Sequence, residues 1–169
     1  VALAAFYLFY SFKHFPDGTV HIIAVNSESN DMRPYVALKA QEHYFIGYDN
    51  GIFGLLFDEA PQEIVSLKQE DSGSFPELTV FANAACDILL KKKLGGLGDP
   101  CNHLYKQVPI LPTIEESVIN GSVIYIDSYK NAITNISREL FDQIGKGRTF
   151  DIFVQSNHNR ISRLSQRYG

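Results

Sequence analysis

The stretch that most constrains the fold is Gly121–Ile136, which reads GSVIYIDSYKNAITNI. Two runs of β-branched and aromatic residues flank a polar segment, and this pattern predicts two strands joined by a turn. The turn, Asp127–Asn131, is longer than the two-residue Asn-Gly or Asp-Gly turn of a simple hairpin. It places a carboxylate, a phenol ring and a carboxamide close together, at Asp127, Tyr129 and Asn131.

Two interpretations of this turn are open. Asp127 could accept hydrogen bonds from an ammonium group, Tyr129 could stack on a flat heterocycle, and Asn131 could hydrogen-bond a base edge in both directions. Alternatively, the Asp and Asn side chains bond only to their own backbone and stabilise the turn. The residues alone favour this second interpretation, an Asx-stabilised turn.

Composition bounds the class of protein. The 169 residues are 45% hydrophobic and 20% charged, which suits one large globular domain or two small ones. The net charge of −4 gives no electrostatic footprint for nucleic acid or for an anionic membrane. Cys86 and Cys101 lack metal-binding or redox spacing, and so few cysteines suit a reducing compartment. We therefore expect a cytoplasmic protein without a metal.

The N-terminal half predicts alternating helix and strands. Val1–Tyr10 is apolar throughout but shorter than the ~20 residues that span a bilayer, so we expect Val1–Phe15 to be a helix buried on most sides. Thr19–Val25 is a nearly continuous apolar run and predicts a central strand buried on both faces. Tyr35–Ala40 and His43–Tyr48 predict two further strands.

The hairpin resembles that of the S-adenosylmethionine hydroxide adenosyltransferases, the family that also contains the fluorinases and chlorinases. Three other blocks are similar to this family in the same order: FPDGTVHIIAVN (15–26), HYFIGYDNGIF (43–53) and SFPELTVFANAA (74–85). Together the similarities run over most of Val1–Phe153.

The resemblance implies a two-domain fold. An α/β N-terminal domain with a mostly parallel sheet is expected over residues 1–104, followed by a linker over 105–112. A small C-terminal β-barrel domain is expected over 113–169, and both domains are expected to lack their outer ends. The resemblance also implies a homotrimer, with sites between the N-terminal domain of one subunit and the C-terminal domain of its neighbour.

The same resemblance assigns roles to the hairpin. It implies that Asp127 holds the methionine ammonium group, that Tyr129 stacks on adenine and that Asn131 hydrogen-bonds the adenine edge. S-adenosylmethionine is then a substrate or ligand, and no separate cofactor is implied.

Hydrolytic members of the family use an aspartate, an arginine and a histidine, so that water attacks C5′ and methionine leaves. Here Arg33 falls on the arginine, Asn26 on the aspartate and Pro76 on the histidine. Asn26 cannot take a proton, and Pro76 does no proton chemistry. Glu77 could accept the water's proton while Arg33 stabilises the developing hydroxide. Alternatively, Glu77 is the reciprocal glutamate of a capping box that begins at Ser74.

Two functions follow from these residues. The first is an S-adenosylmethionine hydrolase that forms adenosine and methionine, and the second is a non-catalytic protein that binds S-adenosylmethionine or adenosine. Halogenation is disfavoured because Glu77 would place negative charge beside a halide. The two functions differ in whether a carboxylate reaches the water behind C5′. Besides Glu77, the candidates for this carboxylate are Glu28 and Asp31, in the loop that carries Arg33.

Overall fold

A computed structural model describes residues 1–26, 33–68, 75–154 and 156–165. Glu28, Asp31 and Ser74 lie outside these described residues. The chain forms two compact units, Val1–Pro109 and Ile110–Gly169. The limits predicted for the two domains and their linker stay a prediction.

The first unit is built on a five-stranded sheet in the order β1-β3-β2-β4-β5. Its strands are β1 (Val20–Ile23), β2 (Tyr35–Ala40), β3 (His43–Tyr48), β4 (Glu63–Leu67) and β5 (Gly98–Pro100). Strands β1 and β3 are parallel, whereas the β2–β3, β2–β4 and β4–β5 pairs are antiparallel. The α/β unit is therefore present, but the prediction of a mostly parallel sheet is wrong and the sheet is mixed.

The connection between β2 and β3 explains why the sheet is mixed. Only Gln41 and Glu42 separate the two strands, and both have positive φ, 47° and 61°. A two-residue turn of this handedness joins antiparallel neighbours, whereas a parallel pair needs a crossover of about a dozen residues or more. The short turn therefore fixes β2 antiparallel to β3.

The strand β1 differs from its predicted position. It pairs with β3 on one side and forms an edge of the sheet among the described residues, so the prediction of a central strand is wrong. The side chain of Ile22 is 51% exposed there. A short apolar run alone does not distinguish an edge strand from a central one.

Helices cover both faces of this sheet. They are α1 (Ala2–Ser11), continued by a 3₁₀ turn over Phe12–His14, α2 (Ile52–Leu56) and α3 (Pro76–Lys91). Alternate residues of β2 enter two separate cores, because side chains alternate between the faces of a strand. Tyr35 and Ala37 join the core beneath α3, and Val36 and Leu38 join the core beneath α1 and α2.

The first helix is less buried than predicted. Leu3, Tyr7, Phe9 and Tyr10 are each more than 40% exposed, although Ala5 is buried. The prediction of burial on most sides is therefore wrong for the described chain.

No helix of the described residues is long and apolar enough to cross a bilayer. The cytoplasmic location stays a prediction.

Two histidines meet in the core beneath α1. Nε2 of His21 lies 3.1 Å from Nδ1 of His43, and the Phe12 ring contacts both imidazoles edge-on. Burial, reinforced by the charge that His43 can carry, lowers the pKa of His21. Their surroundings are aromatic, which indicates a structural role.

The second unit has short, local strand pairs. Its elements are β6 (Thr113–Glu115), β7 (Val118–Asn120), β8 (Val123–Ile126), β9 (Ala132–Thr134), α4 (Arg138–Gly145), β10 (Ile152–Val154) and β11 (Ser156–Ile161). The strands pair as three two-stranded antiparallel sheets, β6–β7, β8–β9 and β10–β11. The described residues thus form a small β region with no closed barrel, because each strand pairs only with its neighbour along the chain.

Candidate functional site

A cavity of about 780 Å³ lies in the first unit. This volume falls within the roughly 300–1,000 Å³ range of small-molecule sites. The three residues predicted to be catalytic, Asn26, Arg33 and Glu77, all line it. The remaining walls include Tyr48, Asn50, Tyr105 and Gln107.

The topology explains why distant residues reach this cavity. Asn26 follows β1 and Tyr48 ends β3, and the carboxyl ends of these two parallel strands lie at the same edge of the sheet. Arg33 precedes β2, whose first residue, Tyr35, pairs with Tyr48. Ligands of open α/β sheets bind beyond the carboxyl ends of strands, which is where these side chains gather.

Asn26 occupies an unusual backbone conformation. Its φ is +46°, in the left-handed region that Asn and Asp enter more readily than other residues with side chains. The residue is exposed at the cavity. An aspartate would fit the same backbone, so the carboxamide is not required by local geometry.

Arg33 is half-buried and its guanidinium lies over an aromatic ring. The carbon Cζ of Arg33 is 4.0 Å from the centroid of the Tyr105 ring, a cation–π contact. Stacking occupies one face of the guanidinium and leaves the N–H groups at its edge to donate. Arg33 can therefore donate hydrogen bonds in the cavity while its guanidinium stays stacked on the Tyr105 ring.

The turn after β3, Asp49–Gly51, has a structural role. Gly51 has φ +96°, which a side-chain-bearing residue rarely adopts. The Asn50 amide donates to the carbonyl of Val25 over 2.7 Å, and the N–H of Ile52 donates to Oδ1 of Asn50 over 3.2 Å. Asn50 thereby ties the end of β1, next to Asn26, to the start of α2.

Glu77 lies in the first turn of α3. Phe75 is the N-cap and Pro76 the first helical residue, so Glu77 is the second. A capping box has Glu or Gln at the third position, whereas Glu77 is second; Ser74, the other half of the predicted box, lies outside the described residues. Glu77 is half-buried and lines the cavity.

The start of helix α3 explains why proline occupies position 76, where the resemblance implies a histidine. Proline suits the first helical position because its missing N–H would find no partner within the helix there, and its fixed φ matches the helix. The proline helps to start α3 but supplies no proton-transfer group.

The hairpin residues form an Asx turn in the second unit. Oδ1 of Asp127 accepts hydrogen bonds from the N–H groups of Tyr129 at 2.9 Å and Asn131 at 2.7 Å. Oδ2 accepts from the side-chain amide of Asn131 at 2.8 Å. These bonds, the side chain of Asn131 first, lower the pKa of Asp127. The ring of Tyr129 is 86% exposed and leaves its flat face accessible.

Sequence reasoning missed five residues that line the cavity: Val1, Tyr48, Asn50, Tyr105 and Gln107. Tyr48 and Asn50 belong to the block HYFIGYDNGIF, and their place after a strand was a signal that they line a site. Tyr105 and Gln107 fall in the segment interpreted as a linker, which offered no such signal. Among the described residues, no group of three His, Cys, Asp or Glu side chains is placed to hold a metal ion.

The fold and cavity define an α/β protein with a candidate small-molecule site at the carboxyl ends of two parallel strands. The sequence matches the SAM hydroxide adenosyltransferase N-terminal domain over residues 1–98 and the C-terminal domain of that family over residues 121–169, where SAM is S-adenosylmethionine. The chain belongs to this family, which confirms the resemblance seen in the hairpin and the other blocks.

Solved structures support the fold. An uncharacterized conserved protein from Thermotoga maritima is 22% identical with a TM-score of 0.78, over 95% of this chain and 64% of that one. A conserved hypothetical protein from Thermus thermophilus is 28% identical with a TM-score of 0.60, over 79% of this chain and 54% of that one. The chain thus matches less than two thirds of either protein's length. No curated protein matches the sequence.

Proposed function

We propose that this protein hydrolyses S-adenosylmethionine, with water attacking C5′ to give adenosine and methionine. The observation that carries the proposal is the convergence of Asn26, Arg33 and Glu77 on one cavity of a family member. The sulfonium leaves as a neutral thioether, so the reaction needs no general acid. It needs a water aligned behind C5′ and a group that takes the proton of that water.

The three side chains meet these needs in different ways. Glu77 accepts the proton, since its carboxylate is the base among the three. Arg33 carries a permanent positive charge and stabilises the hydroxide as it develops. Asn26 hydrogen-bonds the water and orients it without changing its own protonation.

A second function has its own supporting observation. The two positions where the resemblance implies a proton-accepting aspartate and a histidine hold Asn26 and Pro76. A protein with these residues could keep the pocket and bind S-adenosylmethionine or adenosine without turnover. Chromatography of the full-length protein with S-adenosylmethionine separates the two functions. Release of adenosine supports the hydrolase, whereas binding by calorimetry without adenosine supports the binding protein.

We further propose that Asp127, Tyr129 and Asn131 bind the ligand. Replacing Asn131 by alanine should weaken S-adenosylmethionine binding by about 1–3 kcal/mol, because a buried adenine edge would lose its partner. Replacing Tyr129 by alanine should weaken it by about 0.5–1.5 kcal/mol through lost stacking. Calorimetry on the full-length protein measures both effects.

Comparing Asn131→Ala with Tyr129→Ala distinguishes a loss of ligand contacts from a loss of turn stability. Asn131 also bonds to Asp127, so its loss perturbs the turn, whereas the Tyr129 ring makes none of the turn's hydrogen bonds. Lys130→Ala changes the residue between them and serves as the control, with affinity expected to equal that of the wild type. Unchanged affinity in both Tyr129→Ala and Asn131→Ala would remove the hairpin from the site.

The proposed assembly is a homotrimer with sites shared between subunits. Apolar surface on α1, including Leu3, Tyr7 and Phe9, supports burial against another chain. Light scattering of the full-length protein with S-adenosylmethionine present should give the mass of a trimer. A monomer mass at working concentration would contradict a shared site.

A further inference from the structure

We propose that Tyr105 is a positioning residue for Arg33, held in place by Asp49 and packed closely against Gly51 and Gly54. The proposal rests on the proposed function in one respect: Arg33 acts on the water that attacks C5′. The segment 105–107 thereby gains a role in the site, although the sequence predicts that it is part of a linker.

The contact between Tyr105 and Arg33 restricts a flexible side chain. The guanidinium carbon lies 4.0 Å from the ring centroid, so the planar group rests on the ring. An arginine in solvent samples many rotamers, and stacking selects those that keep the guanidinium on the aromatic face. Both residues line the same cavity, so the selected orientation is the one that a ligand would meet.

Asp49 fixes the two partners relative to each other. Both of its carboxylate oxygens accept the N–H of Tyr105, each at 3.0 Å. Its own backbone N–H donates to the carbonyl of Pro34, the residue after Arg33, over 3.1 Å. Asp49 is 8% exposed, so these bonds are largely shielded from water. One buried residue thus connects the backbone beside Arg33 to the backbone of Tyr105.

Two glycines allow the segment to approach this closely. A Cβ atom at Gly51 would lie 2.7 Å from Cβ of Gln107 and 3.2 Å from Cδ1 of Tyr105. A Cβ atom at Gly54 would lie 3.2 Å from the carbonyl oxygen of Tyr105 and 3.3 Å from Cα of Lys106. Gly51 is also required by its positive φ, but Gly54 lies within α2, so the close packing accounts for it. The turn is shaped to receive residues 105–107.

The test compares substitutions at Tyr105 in the full-length protein. Tyr105→Leu removes the ring and Tyr105→Phe keeps it. We expect Tyr105→Leu to lower kcat about tenfold with little change in KM, and Tyr105→Phe to retain the wild-type rate. Phe153→Leu, which removes a half-exposed ring from β10, is the control and should leave the rate unchanged.

A second readout does not depend on turnover. Phenylglyoxal modifies accessible arginines, and peptide mass spectrometry measures the rate at Arg33. We expect Tyr105→Leu and Asp49→Ala to raise this rate several-fold, because the guanidinium leaves the ring when either the ring or the acceptor that holds the Tyr105 N–H is lost. Tyr105→Phe and Phe153→Leu should match the wild type.

The outcomes distinguish the two proposals. If Arg33 reacts at the wild-type rate in both Tyr105→Leu and Asp49→Ala, the positioning role is overturned. If Arg33 becomes more reactive in these variants but no protein releases adenosine, the positioning role holds and the hydrolase proposal fails. Should circular dichroism show that Tyr105→Leu does not fold, Asp49→Ala decides the result with the same readout.

Discussion

Replacing Glu77 by glutamine is expected to lower the rate of adenosine release by ~10²–10⁴, the usual contribution of a general base. Glutamine keeps the size and hydrogen-bonding outline of the side chain but cannot take the proton of the attacking water. Binding of S-adenosylmethionine should stay nearly intact, because the substitution leaves the cavity walls in place. Single-turnover chromatography measures the rate, and calorimetry measures the affinity.

A matched control separates catalysis from helix stability. Glu139 occupies the second position of α4, as Glu77 does in α3, and lies in the second unit. Glu139→Gln removes the same favourable charge from a helix N-terminus and should leave the rate unchanged. A Glu77→Gln variant as active as the wild type would show that Glu77 is not the base.

The second large effect is a rescue at Asn26. Adding Asn26→Asp to the Glu77→Gln variant should recover a factor of ~10² in rate, because it returns a carboxylate to the same cavity. The left-handed backbone at this position accepts aspartate, and Arg33 lines the same cavity, where its charge favours the ionised form. Quenched time courses of adenosine formation measure the recovery.

The single substitution tests the same assignment. In the wild-type background Asn26→Asp should change the rate little, because Glu77 already takes the proton. Strong acceleration by Asn26→Asp alone, together with a neutral Glu77→Gln, would place the missing base at position 26 instead. The wild-type rate would then be limited by the lack of a carboxylate there.

Local signals predicted the elements that local chemistry determines. Strands β2 and β3 begin and end where the apolar runs do. Pairing direction depends on connections instead, which is why the mixed sheet and the edge position of β1 were not predicted. Apolar residues of α1 look the same in sequence whether they are covered or exposed.

Some residues of the candidate site could likewise be predicted from the sequence, and others could not. Asn26 and Arg33 could be named from aligned positions and Glu77 from its place next to Pro76, and all three line one cavity. Tyr105 could not be predicted. Its position beside Arg33 depends on the hydrogen bond from its N–H to Asp49, which lies 56 residues away in the sequence. Such long-range backbone contacts leave no periodic pattern in the sequence, so only the fold reveals them.

Hydrolysis in heavy-oxygen water tests the central claim most directly. Full-length protein is incubated with S-adenosylmethionine in this solvent, and the products are analysed by mass spectrometry. Attack of water on C5′ predicts adenosine that carries the heavy oxygen at its 5′ hydroxyl, with one methionine released for each adenosine. S-adenosylmethionine recovered intact from a saturated protein, with no adenosine formed, would contradict the hydrolase account.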